Sequence, residues 1–270
     1  METLLEVQNL TKQFGGLLAV NNVNFNMKTG EILGLIGPNG AGKTTVFNMI
    51  TGFHAPTKGE IRFQGQKIVR PPQGWTKNLK NGTHNGKPHK ITEQGIARTF
   101  QTIRLFRNLT ALENIMAGLH HRTHAGIWEA LLRTPKQREE EAFIVSEAER
   151  LLNFMGLSAY LDELAKNLPY GDQRRLEIAR ALATAPTLIT LDEPAAGLNG
   201  QETRELSQLI QKIRESGISV LLIEHDMKMV MGLCGHIVVV DHGHKIAEGT
   251  PTEVQNDPDV IKAYLGEEES

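Results

Sequence analysis

An α/β fold with an N-terminal antiparallel β portion and an inserted helical portion is predicted by three features of the sequence. Apolar runs of strand length alternate with helix-like segments over residues 32–50 and again from about residue 186 onward. Residues 4–27 instead read as strand after strand. Residues 108–165 carry apolar side chains at helix spacing. The chain has 270 residues, 40% of them hydrophobic and 22% charged, which allows one large domain or two small ones with a sizeable core.

Each element follows from its local pattern. Leu5, Val7 and Leu10, then Ala19-Val20, then the alternating Val23, Phe25 and Met27 form antiparallel strand material, and Thr29-Gly30 turns the chain into the strand 32–36. A glycine-rich loop over 37–45 leads to the helix-like segment 46–50, and Gly59-Glu60-Ile61-Arg62-Phe63 is a further β unit. Over 70–90, Pro71-Pro72, Asn81-Gly82 and Asn85-Gly86 signal turns, and Arg70, Lys77, Lys80, Lys87 and Lys90 stand among them. A contact with anionic lipid headgroups is one reading of this segment, and a solvated surface insertion is the preferred one. Leu109, Leu112, Ile115, Met116 and Leu119 predict one helical face, and Ala142, Val145, Ala148, Leu151, Leu152 and Met155 another. Strands are then expected at 187–191, 218–223 and 237–240, with helices at 201–216, 227–234 and 258–265.

Composition excludes several classes. A formal net charge of −2 argues against an electrostatic nucleic-acid binder. No apolar run approaches the ~20 residues that span a bilayer. Glu2 and Glu6 stand where a signal peptide would be basic and then apolar, so a cytoplasmic chain is expected. The single cysteine, Cys234, rules out an intrachain disulfide and reads as a small buried residue. His120, His121 and His124 lack a completing ligand and read as a solvated helix end, and Glu139-Glu140-Glu141 as an exposed helix face.

The chemistry lies in four places. Gly37-Pro38-Asn39-Gly40-Ala41-Gly42-Lys43-Thr44-Thr45 matches G-x-x-x-x-G-K-[ST] between a strand and a helix. Its glycines let backbone N–H groups turn toward phosphate oxygens, and the following helix adds the positive end of its dipole. Lys43 supplies a cation for the β- and γ-phosphates, and the Thr44 hydroxyl can ligate Mg²⁺, so a nucleoside triphosphate is expected. The apolar strand that ends in Asp192-Glu193 places two carboxylates at a sheet edge. Asp192 is expected to hold Mg²⁺, and Glu193 to orient and deprotonate the attacking water. His225, after the strand 218–223, sits on the same expected edge within reach of the γ-phosphate or that water. Gln101, just before the helical insertion, offers a neutral amide that could ligate Mg²⁺.

With Leu168-Pro169-Tyr170-Gly171-Asp172-Gln173-Arg174-Arg175-Leu176-Glu177 added, nearly the whole chain resembles an ATP-binding cassette (ABC) ATPase. This stretch is similar to the family's signature loop and following helix. The resemblance implies a single ABC ATPase domain over 1–270, with a nucleotide-binding core at about 1–101 and 171–270 and a helical subdomain at about 102–170. It implies ATP held between the phosphate loop of one cassette and the signature loop of another. It makes Phe14 the ring that stacks on adenine, Gln101 the linker to a membrane partner, and His225 the switch histidine. It also takes Ala196-Gly197-Leu198-Asn199 across the dimer interface. Phe14 read from its own surroundings could as well anchor a hairpin, and stacking does not settle ATP against GTP.

The signature departs from the family's usual Leu-Ser-Gly-Gly-Gln at Pro169, Tyr170 and Asp172, and Gly171 is retained. Proline suits the first turn of a helix but brings neither a hydroxyl nor an N–H. Asp172 adds a negative charge near a polyanion and should weaken closure unless a cation offsets it. The expectation is therefore a pair of unequal ATP sites, shared with a second, non-identical ABC ATPase. Within the family, Phe14-Gly15-Gly16-Leu17, residues 170–177, Ala195-Ala196-Gly197-Leu198-Asn199 and the end over 256–266 resemble the ATP-binding subunits of high-affinity branched-chain amino-acid importers. That implies permease subunits, indirectly a periplasmic solute-binding protein, and a peripheral place on the cytoplasmic face of the inner membrane. Cassettes of urea import and lipopolysaccharide export share parts of the pattern. The opposing class is a non-transport cassette acting in DNA repair or translation. Repair forms carry a long coiled coil where about 125 residues without sustained heptads intervene here, and ribosomal forms carry two cassettes.

Overall fold

A computed structural model of the chain describes residues 2–71, 87–119 and 135–265; Lys77, Lys80, His120, His121 and His124 lie outside the described residues. Strands β1 (Thr3–Phe14) and β2 (Leu17–Lys28) pair antiparallel, with Leu5 opposite Met27, Val7 opposite Phe25 and Leu10 opposite Val23. The alternation read from the sequence thus places these side chains together in the core. With β4 (Lys58–Phe63) and β5 (Gln66–Val69) they form an antiparallel sheet ordered β2-β1-β4-β5.

The second sheet is ordered β10-β9-β3-β8-β7-β6. Its strands are β3 (Ile32–Ile36), β6 (Ile96–Arg98), β7 (Leu188–Asp192), β8 (Ser219–Ile223), β9 (His236–Asp241) and β10 (His244–Gly249). Neighbours from β9 to β6 run parallel, and β10 is an antiparallel edge. Every residue of β3, β7 and β8 is buried, as their continuous apolar runs require when both faces are covered. The two-residue period divides the core. Ile32, Ile36, Val220 and Leu222 face the helices, whereas Leu33, Leu35, Leu221 and Ile223 join the antiparallel sheet and α1 (Lys43–Ile50). The segments that leave β3, β7 and β8 emerge at one carboxyl edge, where open α/β sheets bind ligands.

A short helix, α2 (Pro88–Glu93), precedes β6; on the helical side, α3 (Ala111–Leu119), α4 (Pro135–Phe154) and α5 (Tyr170–Leu182) share one apolar interior through Ile115, Leu119, Ala148, Leu152, Leu176 and Leu182. The helical pattern over 108–165 is not continuous. Gly156, at φ 72°, ends α4 in a Schellman motif, with Leu157 N–H bonded to Leu152 O at 2.8 Å and Gly156 N–H to Asn153 O at 3.0 Å. Only short 3₁₀ turns, Ser158–Tyr160 and Ala165–Asn167, follow before α5.

The last third holds the expected helices α6 (Gly200–Glu215), α7 (Met227–Leu233) and α9 (Pro258–Leu265), together with α8 (Pro251–Gln255), a short helix that the sequence pattern did not predict. Asn199 caps α6 by accepting from Gln201 and Glu202 N–H, and Glu202 returns the bond to Asn199 N–H. Among the described residues, no helix is long and apolar enough to cross a membrane.

Candidate functional site

The loop between β3 and α1 is built as a cradle. Gly37 has φ 149°, and a Cβ there would lie 1.9 Å from Val240 O. Gly42, at φ 102°, has Ala19 O 2.6 Å from where its Cβ would be. Backbone packs against the loop from behind, so no other residue fits these positions without moving β2 or β9. Lys43 is buried and its Nζ donates to Gly37 O at 2.7 Å and Pro38 O at 2.8 Å. Burial lowers its pKa from the ordinary lysine value, and among the described residues no carboxylate lies within ion-pair distance of it. A desolvated cation inside a cradle without an anionic partner is the arrangement that a phosphate completes.

The cradle opens into a cavity of about 450 Å³ whose wall includes Asn39, Gly40, Ala41, Gly42, Lys43, Thr44 and Thr45. Phe14 lines the same cavity, its ring held edge-on to His54 at 5.3 Å with Lys12 Nζ 4.8 Å from its centroid. Glu193 and His225 complete the wall. Residues 39–45, Glu193 and His225, from three separate strand ends, therefore meet at one opening, whereas Asp192 and Gln101 do not line it.

Glu193 stands at the left-handed φ of 47°, a strained conformation for a residue with a side chain. Its N–H is tied to Ile223 O of β8 at 2.9 Å, which fixes the turn out of β7. Both carboxylate oxygens are engaged. Gln101 Nε2 donates to Oε2 at 2.8 Å, and His225 Nε2 lies 2.9 Å from Oε1. Gln101, Glu193 and His225 thus form a polar chain across the edge of the sheet. Asp192, one residue back, is buried and paired through Oδ2 with Arg98 at 3.0 Å. Burial raises its pKa above the usual carboxylate range, and Arg98 opposes that rise.

Three supporting residues were not assigned a role from sequence. Arg98 bonds Asn48 at 2.7 Å and Thr51 at 2.8 Å, and its guanidinium lies about 5 Å from the centroids of Phe47, Phe53 and Phe100. It therefore joins α1, Asp192 and the segment that carries Gln101. Arg174, fully buried in α5, donates to Phe100 O at 2.7 Å and Gln101 O at 2.8 Å and pairs with Glu177 at 2.9 Å. Glu224 is buried and accepts from Ala195 N–H at 2.7 Å and His225 N–H at 3.0 Å, so one carboxylate ties the segments after β7 and β8 together. A charged residue at the end of an apolar run was the available signal for Arg98 and Glu224. Nothing in the local pattern marked Arg174.

Pro169, Tyr170, Gly171 and Asp172 do not line this cavity. Pro169 precedes α5 as its N-cap at φ −52° rather than entering the first turn, and supplies no side-chain cap. Asp172 has its cation, since Arg175 lies 3.8 Å away and also pairs with Glu205.

Residues 20–196 match the family described as ABC transporter, and residues 244–270 match the one described as Branched-chain amino acid ATP-binding cassette transporter. The chain is 47% identical over 265 residues to the high-affinity branched-chain amino acid transport ATP-binding protein BraF of Pseudomonas aeruginosa, covering 98% of each. It is 47% identical over 267 residues to the corresponding protein LivG of Escherichia coli K12, covering 98% of this chain and 99% of LivG. It is also similar to the ADP conformation of MJ1267, an ATP-binding cassette of an ABC transporter. There the TM-score is 0.81 at 31% identity, over 99% of this chain and all of that one.

Proposed function

The chain belongs to the ABC transporter family as one of its ATP-binding cassettes, and we propose that it is the ATP-hydrolysing subunit that powers import of branched-chain amino acids through a membrane permease. The observation that carries the substrate class is the C-terminal match over 244–270, a segment outside the part shared with all ABC transporters. Full-length identity of 47% to BraF and LivG supports it. Solute specificity belongs to the permease subunits and a periplasmic solute-binding protein, and this chain works from the cytoplasmic face beside a second, non-identical ATPase.

In this reading Phe14 packs on the base, and residues 37–45 hold the phosphates with Lys43 as the buried cation. Thr44, Asp192 and Gln101 offer the hard oxygen donors that suit Mg²⁺, which when bound neutralises phosphate charge. Glu193 takes a proton from the attacking water on a carboxylate oxygen now held by Gln101 or His225. His225 presents Nε2 to the same water or to the γ-phosphate oxygen. Pro169, Tyr170, Gly171 and Asp172 close over the ATP of the other cassette. The helical subdomain, described over 102–119 and 135–170, faces the permease.

Affinity capture of the tagged chain from detergent-solubilised membranes, with uptake of labelled leucine in cells lacking the gene, tests the proposal. Co-purification of permease subunits and restored leucine uptake are expected. Recovery of ribosomes or DNA instead, or uptake of urea but not leucine, would overturn it.

A further inference from the structure

Tyr170 stands where the family's usual signature has a glycine, and its side chain touches the chain's own interface segment. Its hydroxyl donates to Ala196 O at 3.2 Å. Its ring lies over Gly197, which adopts φ 81°; a Cβ at that glycine would be 3.2 Å from the ring. Ala196 N–H in turn donates to Glu193 O at 3.1 Å. One residue of backbone therefore separates the signature tyrosine from the main chain of the catalytic glutamate. A second link runs in parallel, because Arg175 of the same helix pairs with Glu205 of α6, the helix that residues 195–199 lead into.

We propose that Tyr170 is a positioning residue that ties this chain's signature loop to its own Glu193. The inference rests on the reading above, in which each ATP lies between two chains. The signature loop then meets the partner's ATP, while Glu193 serves this chain's own. A glycine at 170 would leave the two loops connected only through α5 and α6. The tyrosine gives a direct route: closure of the signature loop shifts the carbonyl of Ala196, and the Ala196 N–H passes that shift to the turn holding Glu193. The left-handed φ of Glu193 is held by its N–H bond to Ile223 O on one side and by the Ala196 N–H on the other, so a shift of Ala196 acts directly on the turn that aims the carboxylate.

The assembled transporter tests this when the partner ATPase has its own catalytic carboxylate exchanged for the amide. All turnover then comes from Glu193 of this chain, on an ATP that Tyr170 does not touch. Tyr170→Phe removes one neutral hydrogen bond and keeps the ring, so kcat at that site is expected to fall about three- to tenfold with KM within about twofold. Tyr170→Gly removes the ring as well and is expected to fall further. Thermal midpoints of both variants are measured alongside, because Tyr170 is half exposed and its loss should leave them within a few degrees. Equal kcat in the wild type and both variants would overturn the tether alone. A purified complex without a second ATPase-chain signature loop over the ATP would overturn the two-chain reading and the tether with it.

Discussion

Replacing Arg98 tests how the site is held together. The guanidinium and the Asp192 carboxylate form a pair with side chains only 10% and 6% exposed. Removing one partner of a buried pair typically costs about 3–5 kcal/mol, because the remaining charge stays out of water unpaired. Arg98→Ala also empties a slot among Phe47, Phe53 and Phe100 and strips hydrogen bonds from Asn48 and Thr51. These terms overlap, so about 4 kcal/mol is the expected total, a large share of a domain's stability. The pH dependence has a definite sign. Burial already raises the Asp192 pKa and Arg98 restrains it, so the variant's carboxyl moves higher still. Between the unfolded value near 3.8 and the raised folded value, the native state binds the extra proton, and stability rises as pH falls. Urea denaturation of nucleotide-free protein in chelator, from about pH 8 to about pH 5, should show the deficit shrinking toward acid. Arg98→Ala with Asp192→Asn should recover roughly half of the loss at about pH 8, since no charge is then stranded. A deficit below about 1 kcal/mol, or one that grows on acidification, would refute the assignment.

The catalytic and structural assignments make three further tests. Glu193→Gln should bind ATP, accumulate the closed state and lose about 10²- to 10⁴-fold in turnover, measured as phosphate release; normal turnover would remove Glu193 from the proposed chemistry. Gly37→Ala sets a methyl against Val240 O, and a loss of about 1–3 kcal/mol with weakened binding of a fluorescent ATP analogue is expected. Affinity within twofold of wild type would mean that the loop has room. His236 lies 3.6 Å from the Glu31 carboxylate and is hydrogen-bonded to Glu248 at 3.1 Å, and these carboxylates, Glu31 foremost, raise its pKa above 6.5. Its stabilisation is present below about pH 6.5 and is lost as pH rises through the raised folded value, so His236→Gln should flatten that stretch of the stability profile. An unchanged profile would show that the pair of carboxylates does not hold the proton.

The elements most legible in the sequence are those whose burial is two-sided or whose alternation is strict. The strands 32–36 and 219–223 read correctly because apolar residues fill both faces, and the β1–β2 pair because Val23, Phe25 and Met27 alternate. The parts that escaped depend on neighbours. Strand β6 is three residues long and exists through its pairing with β7, while β10 carries His244, Lys245 and Glu248 and is held by β9. The site divides in the same way. Gly37, Lys43, Glu193 and His225 could be named because spacing and chemistry coincide, whereas Gln101 rested on the family resemblance, and the structure sets it against Glu193. Arg98, Arg174 and Glu224 act through contacts 29 to 94 residues away, which no local pattern encodes.

The altered signature loop is best understood by counting what it retains. Lack of an N–H on Pro169 removes one of the four donors at the helix end and leaves the N–H groups of Tyr170, Gly171 and Asp172. Also missing is a capping hydroxyl. Charge is the larger difference. Arg175 lies between Asp172 and Glu205, and Arg204 also acts on Glu205, so the Asp172 charge near the first turn is only partly offset. A full unit charge about 8 Å from a phosphate charge, at an effective dielectric near 20, would be worth about 2 kcal/mol against closure, and the partly offset Asp172 charge is worth less than that. A penalty of this size weakens the site without abolishing it. In the proposed pair, the ATP under this loop is therefore held less tightly than the ATP on this chain's own Lys43. An asymmetric motor of that kind gains from a direct connection between its halves, and the Tyr170 hydroxyl on Ala196 provides one within a single chain.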